Sequence, residues 1–197
     1  MRELIKMVVI LTILSAFSGG VLAYVKNVTE KDIEIQRLKF EKAPAIKSIM
    51  AKATNDPLKD RFVVMDGKNK VSVFVGKIDN EYNFVTIEAY GKGFGGDIGV
   101  MVGIDLKEDK ITGIGVTTHS ETPGIGSRAK TDASFKTQFV DMSLKKEFKV
   151  KDNGGDVDII SGATITSRGV CVALNQTAAL YKRIKPEILK KIDGLPK

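Results

Sequence analysis

Between Met7 and Val25 the chain carries no charged residue. At about 1.5 Å per residue, a helix of roughly twenty residues crosses a hydrocarbon core of about 30 Å. Such a segment takes itself out of any water-soluble core, so the globular part must come from the remainder. Arg2 and Lys6 precede the run. Positive charge on that flank favours a cytoplasmic N-terminus and an extracytoplasmic C-terminal domain. The small residues of Gly20-Val21-Leu22-Ala23 also suit a cleaved signal peptide, and the densest apolar part, Met7 to Leu14, is short. Against cleavage, apolar character continues through Val21, Leu22, Tyr24 and Val25. Ser15, Ser18, Gly19 and Gly20 let membrane helices approach closely, which suits an anchor docked on partner helices.

We expect a transmembrane anchor over 1–26, a helical stalk and linker over 27–60 and a folded domain over 61–197. In the stalk, Ile33, Leu38, Phe40, Ala45, Ile46 and Ile49 recur among charges, and Pro44 bends or restarts the helix. Ala53 to Lys59 is a polar connection containing Pro57. Strands are expected at Val71–Ile78, Phe84–Tyr90, Ile98–Leu106 and Ile111–Thr118, with a turn at Asp79-Asn80. Alternation puts Ile98, Val100, Val102 and Ile104 on one face, and Ile111, Gly113, Gly115 and Thr117 opposite Thr112, Ile114, Val116 and Thr118. Consecutive strands with short turns predict an α+β fold, an antiparallel sheet with packed helices. A short helix over Thr131–Met142, a strand at Phe148–Val150 and a turn at Asn153-Gly154-Gly155 follow. A helix then runs from Thr166 to Ile184, and Pro186 opens a last short one to Ile192.

Composition removes several functions. One cysteine, Cys171, excludes an intrachain disulfide and a cysteine metal cluster. It sits among Val170, Val172 and Ala173, as a buried packing cysteine would. One histidine, His119, excludes a multi-histidine metal site. The formal charge of +7 is spread over short clusters such as Lys145-Lys146 and Lys190-Lys191. With no zinc spacing, aromatic platform or basic recognition helix, nucleic acid is not expected as a partner. An anionic lipid surface or an acidic partner suits that charge better. No nucleophile, base and orienting group fall together, which disfavours a hydrolase.

The chemistry concentrates in Asp158-Ile159-Ile160-Ser161-Gly162-Ala163-Thr164-Ile165-Thr166-Ser167. A turn there feeds a helix whose N-terminus favours a phosphate. Gly162 and Ala163 allow close approach, and the Thr164 hydroxyl can be esterified; Thr166 is the rival hydroxyl. An ordinary helix cap is the plain alternative. Thr118-His119-Ser120-Glu121-Thr122-Pro123-Gly124-Ile125-Gly126 is a tight polar loop leaving an apolar strand, a place where function collects, or else a ligand-free Pro-Gly turn. Gly91-Lys92-Gly93-Phe94-Gly95-Gly96 fits the dinucleotide glycine pattern, but a strand follows it instead of a helix, so a glycine-rich hairpin is expected.

The first segment, read as D-x-x-[ST]-G-A-T-x-[ST], resembles the covalent flavin attachment motif of FMN-binding domains in bacterial respiratory complexes. Asp158, Ser161, Gly162, Ala163, Thr164 and Thr166 all match. The resemblance implies FMN joined to Thr164 by a phosphoester. It also implies that the E-T-P-G-x-G loop borders the flavin, with Thr122 and the N–H groups around Gly124 meeting its pyrimidine edge and His119 or Glu121 orienting the loop. Gly95 and Gly96 become neighbours of the cofactor. Arg168, one helical turn on, is either a phosphate partner or a solvated charge. Anchor, stalk, glycine turn, loop, motif and closing helix follow in the order that the resemblance gives for the G subunits of Rnf electron transport complexes. The C subunit of the sodium-pumping NADH:quinone reductase is similar but typically longer, and a stand-alone membrane-anchored flavoprotein electron donor is the other reading. Membership implies an electron carrier in an ion-translocating ferredoxin:NAD oxidoreductase. Its expected partners are the other membrane subunits of the Rnf complex and a flavin transferase using FAD and Mg²⁺.

Overall fold

A computed structural model of the chain describes residues 1–79 and 81–195. Asn80 of the expected Asp79-Asn80 turn lies outside the described residues. The chain divides into two compact units, Met1–Phe40 and Glu41–Lys197.

The first unit is helix α1, Arg2–Arg37, in which no residue is buried. The helix that begins at Arg2 is long and apolar enough to cross a membrane. Within it, the Thr12 hydroxyl donates to the Val8 carbonyl at 2.8 Å, so this polar group is satisfied inside the helix.

The second unit opens with the last residues of a π-helical turn, Leu38–Lys42, and with α2, Ala43–Ile49. Pro44 lies in the first turn of α2, directly after the π-helical turn, so the helix is disturbed where the proline was expected to bend or restart it. Five strands then form an antiparallel meander in sequence order. They are β1 Arg61–Asp66, β2 Asn69–Ile78, β3 Glu81–Lys92, β4 Asp97–Asp105 and β5 Lys110–Val116. This is the expected fold class. Strand β1 was not anticipated. It pairs with β2 so that Asp66 faces Asn69 across a two-residue turn, where Gly67 takes a φ of 63°. Val64 is its buried residue, while Val63 and Met65 face outwards.

One face of the sheet carries Val85, Ile87 and Ala89 of β3 and Ile98, Val100, Val102 and Ile104 of β4, all buried. The alternation expected in β4 therefore holds. In β5 it is offset by a bulge at Gly103/Ile104, which brings Ile111, Ile114 and Val116 into one core instead of opposing faces. Helix α5, Thr164–Asp193, lies across this face. Its backbone meets β3 without intervening side chains. A Cβ on Gly91 would stand 1.8 Å from the Gly169 carbonyl oxygen, and one on Gly169 would stand 2.7 Å from that of Lys92. The opposite face holds α2, with Ile49 over Gly103 and Gly113 and Ala45 over Gly115. There Lys42 pairs with Glu88 of β3 at 2.7 Å, and the Thr117 hydroxyl donates to the same carboxylate at 2.6 Å.

Other expectations are corrected. The helix expected over Thr131–Met142 is two short pieces, α3 Arg128–Thr131 and α4 Ala133–Thr137. Asp132 divides them by leaving the helical region and accepting N–H bonds from Ser134 and Phe135. Phe148–Val150 is no strand: both backbone groups of Phe148 bond the Asn175 side chain, at 2.8 and 2.9 Å, and Val150 makes a lone bridge to Val157. Helix α5 starts at Thr164, not Thr166, and passes through Pro186 without stopping. The lost N–H is offset by core packing on both sides, at Ile184 and Ile188.

Cys171 is buried, as expected, and burial pushes its thiol up to about 11. Iodoacetamide should therefore label the folded chain slowly at neutral pH and faster only as pH nears that value, because the thiolate is the nucleophile. Unfolding in urea should remove the protection. Gly91→Ala should lower stability by about 3 kcal/mol, since overpacking against backbone has no side chain to yield. A thermal melt of the detergent-solubilised chain reads this directly.

Candidate functional site

Three segments converge beside the start of α5. Strand β3 ends in the turn of Gly93 to Gly96, closed by the Gly93 N–H donating to the Gly96 carbonyl at 2.8 Å. Beyond β5, the chain still pairs with β4 through Gly99, whose N–H donates to Thr118 and whose carbonyl accepts from Thr117, both at 2.8 Å. The loop from His119 to Ser127 then folds back. The Glu121 N–H donates to His119 Nδ1 at 3.3 Å, and the Gly124 N–H donates to the Ser127 hydroxyl at 2.8 Å. Gly124 has a φ of 73°, which favours glycine. The Thr122 carbonyl accepts from both Ile125 and Ser127.

The third segment is held by a residue that sequence reasoning missed. Ser167 is fully buried. Its hydroxyl accepts from the Ile160 N–H at 3.0 Å and donates to the Ala163 carbonyl at 3.0 Å. It thereby locks the Ile160–Ala163 turn onto the first turn of α5. A serine four positions after Ala163 was the available signal, because Ser at that spacing bonds back along a helix. Gly162 turns the chain with a φ of 79°. No side chain caps α5, so its first N–H groups have no partner within the helix.

Together these segments line an open cleft of about 460 Å³, bounded by Phe94, Glu121, Thr122, Ile125 and Gly126 and by Gly162 to Thr166. The two candidate hydroxyls differ sharply here. Thr166 is 1% exposed, and its hydroxyl donates to the Glu121 carboxylate in a short hydrogen bond. Thr164 is half-buried and lines the cleft. Glu121 is itself buried, and its other oxygen accepts from the Gly95 N–H at 2.8 Å. Phe94, Ile125 and Ile165 leave 72%, 47% and 48% of their surface exposed around the opening. Their sequence signal was weak: single apolar residues within glycine-rich or polar turns.

Other expected site residues lie elsewhere or at the margin. Ser161 is exposed in the turn before Gly162, and His119 is half-buried at the root of its loop. Gly96 supports the glycine turn beside Gly95, with a φ of 147°. The Asp158 carboxylate pairs with Lys151 at 2.8 Å, and its N–H donates to Gln138 at 2.8 Å, so it braces the approach to the turn. Arg168 is exposed and borders a separate hollow with Phe148, Asn153, Val172 and Asn175. Among the described residues no group of three or more His, Cys, Asp or Glu could hold a metal ion.

An apolar rim, a helix start with free N–H groups and an available hydroxyl suit a ligand with a flat ring and a phosphate. Similarity to known proteins agrees with that chemistry. Residues 93–179 match the family model described as the FMN-binding domain. The G subunit of the ion-translocating oxidoreductase complex of Methanosarcina acetivorans is 34% identical over 177 residues, spanning 88% of this chain and 92% of that one. The chain belongs to this G-subunit family. Its members in Salmonella typhi and Escherichia coli K12 are 32% and 30% identical, with 89% and 92% of each chain covered. The crystal structure of the C subunit of the Na⁺-translocating NADH-quinone reductase from Parabacteroides distasonis has the same fold. It superposes with a TM-score of 0.59 at 23% identity, over 77% of this chain and 94% of that one.

Replacing Ser167 by alanine would leave the buried Ile160 N–H without its acceptor. This should cost about 1–3 kcal/mol of stability, and a thermal melt of Ser167→Ala should show the loss.

Proposed function

We propose that this member of the G-subunit family carries FMN on Thr164, through a phosphoester, and passes electrons within a membrane-bound, ion-translocating oxidoreductase complex. The observation that carries the reading is the different state of the two hydroxyls: Thr164 opens into the cleft at the start of α5, whereas Thr166 is committed to Glu121. The uncapped N–H groups of α5 would bind the phosphate, favoured by the helix dipole. Phe94, Ile125 and Ile165 would cover the ring system, and Thr122, which lines the cleft, would meet its polar edge, while the N–H groups of Gly124 and Ile125 are already bonded within the loop. Bound flavin supplies the redox chemistry, and the protein supplies position, exposure and electrostatics.

Attachment requires a flavin transferase acting on FAD with Mg²⁺. The Thr164 oxygen loses its proton and forms a bond to the phosphorus of the FMN half, and AMP leaves. The neighbours in the membrane are the other subunits of the complex. Residues 1–26 serve as the anchor, 27–60 as stalk and linker, and 61–197 as the FMN-binding domain. Arg2 and Lys6 on the N-terminal flank support a single pass through the cytoplasmic membrane, with the domain on the extracytoplasmic side. A covalent tether suits that side, where lost FMN is not readily replaced.

Coexpression with a flavin transferase followed by a denaturing gel tests this. The wild-type band should fluoresce and the Thr164→Ala band should be dark. A dark wild-type band, or an equally bright Thr164→Ala band, overturns the assignment.

A further inference from the structure

Among the described residues, Glu121 is the only acidic one bordering the cleft, and its carboxylate is turned inwards among backbone groups. One oxygen takes the Gly95 N–H at 2.8 Å, and the other takes the Thr166 hydroxyl. The space around it is kept by missing side chains. A Cβ on Gly93 would lie 2.5 Å from Oε1, and one on Gly126 would lie 2.6 Å from Oε2 and 2.9 Å from the Thr166 hydroxyl oxygen. A Cβ on Gly95 would collide with the Ser120 carbonyl at 2.0 Å. The three segments that form the cleft therefore meet at one carboxylate. A buried group bonded to two others at close quarters costs free energy to displace, so this junction is stiff.

The geometry points to Glu121 as the positioning residue of the attachment site. Through Thr166 it fixes the rotation of the first turn of α5, and through Gly95 it fixes the glycine turn carrying Phe94. The Thr164 hydroxyl and the apolar rim are thus held in one arrangement before any flavin arrives. Glu121 acts through these neighbours and takes no part in bond making. The inference rests on the reading of Thr164 as the acceptor. It adds that the rate of flavin transfer, rather than its end point, depends on a residue distant in sequence from the motif. Preorganised geometry lowers the barrier to a displacement by removing orientational cost.

The test measures the initial rate of flavin transfer to the detergent-solubilised full chain, with FAD, Mg²⁺ and a flavin transferase, by in-gel fluorescence. Glu121→Ala and Thr166→Val should each load at least about tenfold more slowly, a barrier change of about 1.4 kcal/mol. Long incubation should still bring both to full loading, with the label on Thr164 by peptide mass spectrometry. Glu121→Gln should recover most of the lost rate, because its amide oxygen can accept from Gly95 while its NH₂ donates to the Thr166 oxygen. If the two residues act as a unit, the double variant loads no more slowly than the worse single variant. Thr166→Val is nearly isosteric and guards against a folding defect in Glu121→Ala, and thermal melts accompany each rate. Wild-type rates in Thr166→Val overturn the inference, as do additive losses in the double variant or a Glu121→Gln as slow as Glu121→Ala. Failure of the Thr164 reading is separate: it is a dark wild-type band or a label on another residue.

Discussion

The backbone contact between Gly91 and Gly169 is the constraint on which the rest depends. Helix and strand touch there with no side chain between them. That contact sets the height of α5 over the sheet and, because Gly169 lies one and a half turns into the helix, it also sets where the helix begins. The start of α5 consequently falls beside the two loops that leave β3 and β5. A larger residue at either position would lift the helix and move the whole cleft wall. The hydrophobic core of valines and isoleucines stabilises the pair of layers, but it is non-directional; the glycine contact supplies the register.

The cleft follows from that placement. A helix start that no side chain caps is an anion site in waiting, and the Ile160–Ala163 turn, locked by Ser167, aims it. The two hydroxyls two residues apart on the helix point to different environments, one into protein and one into the opening. This is helical geometry applied to a short motif: residues at i and i+2 do not share a face. The fold belongs to a family whose relatives are subunits of ion-translocating oxidoreductases, and the chemistry of the cleft suits a ring-bearing phosphate ligand.

Much of the architecture was legible because it rests on local pattern. Strands β2 to β5 were found from alternation and from the turns between them, as was the face of β4. The bulge at Gly103/Ile104 was not: it moves the buried positions of β5 from Ile111 to Ile114 and Val116, but Gly113 and Gly115 left a plain alternation equally readable. Strand β1 was overlooked although Asp66-Gly67 is a hairpin signal; Val63 and Met65 at the surface blurred its period. Pro186 argued for a helix end, and long-range packing of Ile184 and Ile188 overruled it. Phe148 was read from propensity, whereas its backbone is satisfied by a side chain far along the sequence. At the site, the motif named Thr164 and the loop named Glu121. The link between Glu121 and Thr166 spans 45 positions and has no local signature.

The ion pair of Lys42 with Glu88 has an electrostatic consequence. Lys42 stands just before α2, and Glu88 belongs to β3, the central strand of five, with its side chain only 10% exposed. A carboxylate so placed is costly without a partner, so the start of α2 is drawn to the sheet by the charge it neutralises. Thr117, which bonds the same carboxylate, roots the loop that carries Glu121, so one charge ties the start of α2 and the base of the cleft loop to the same strand.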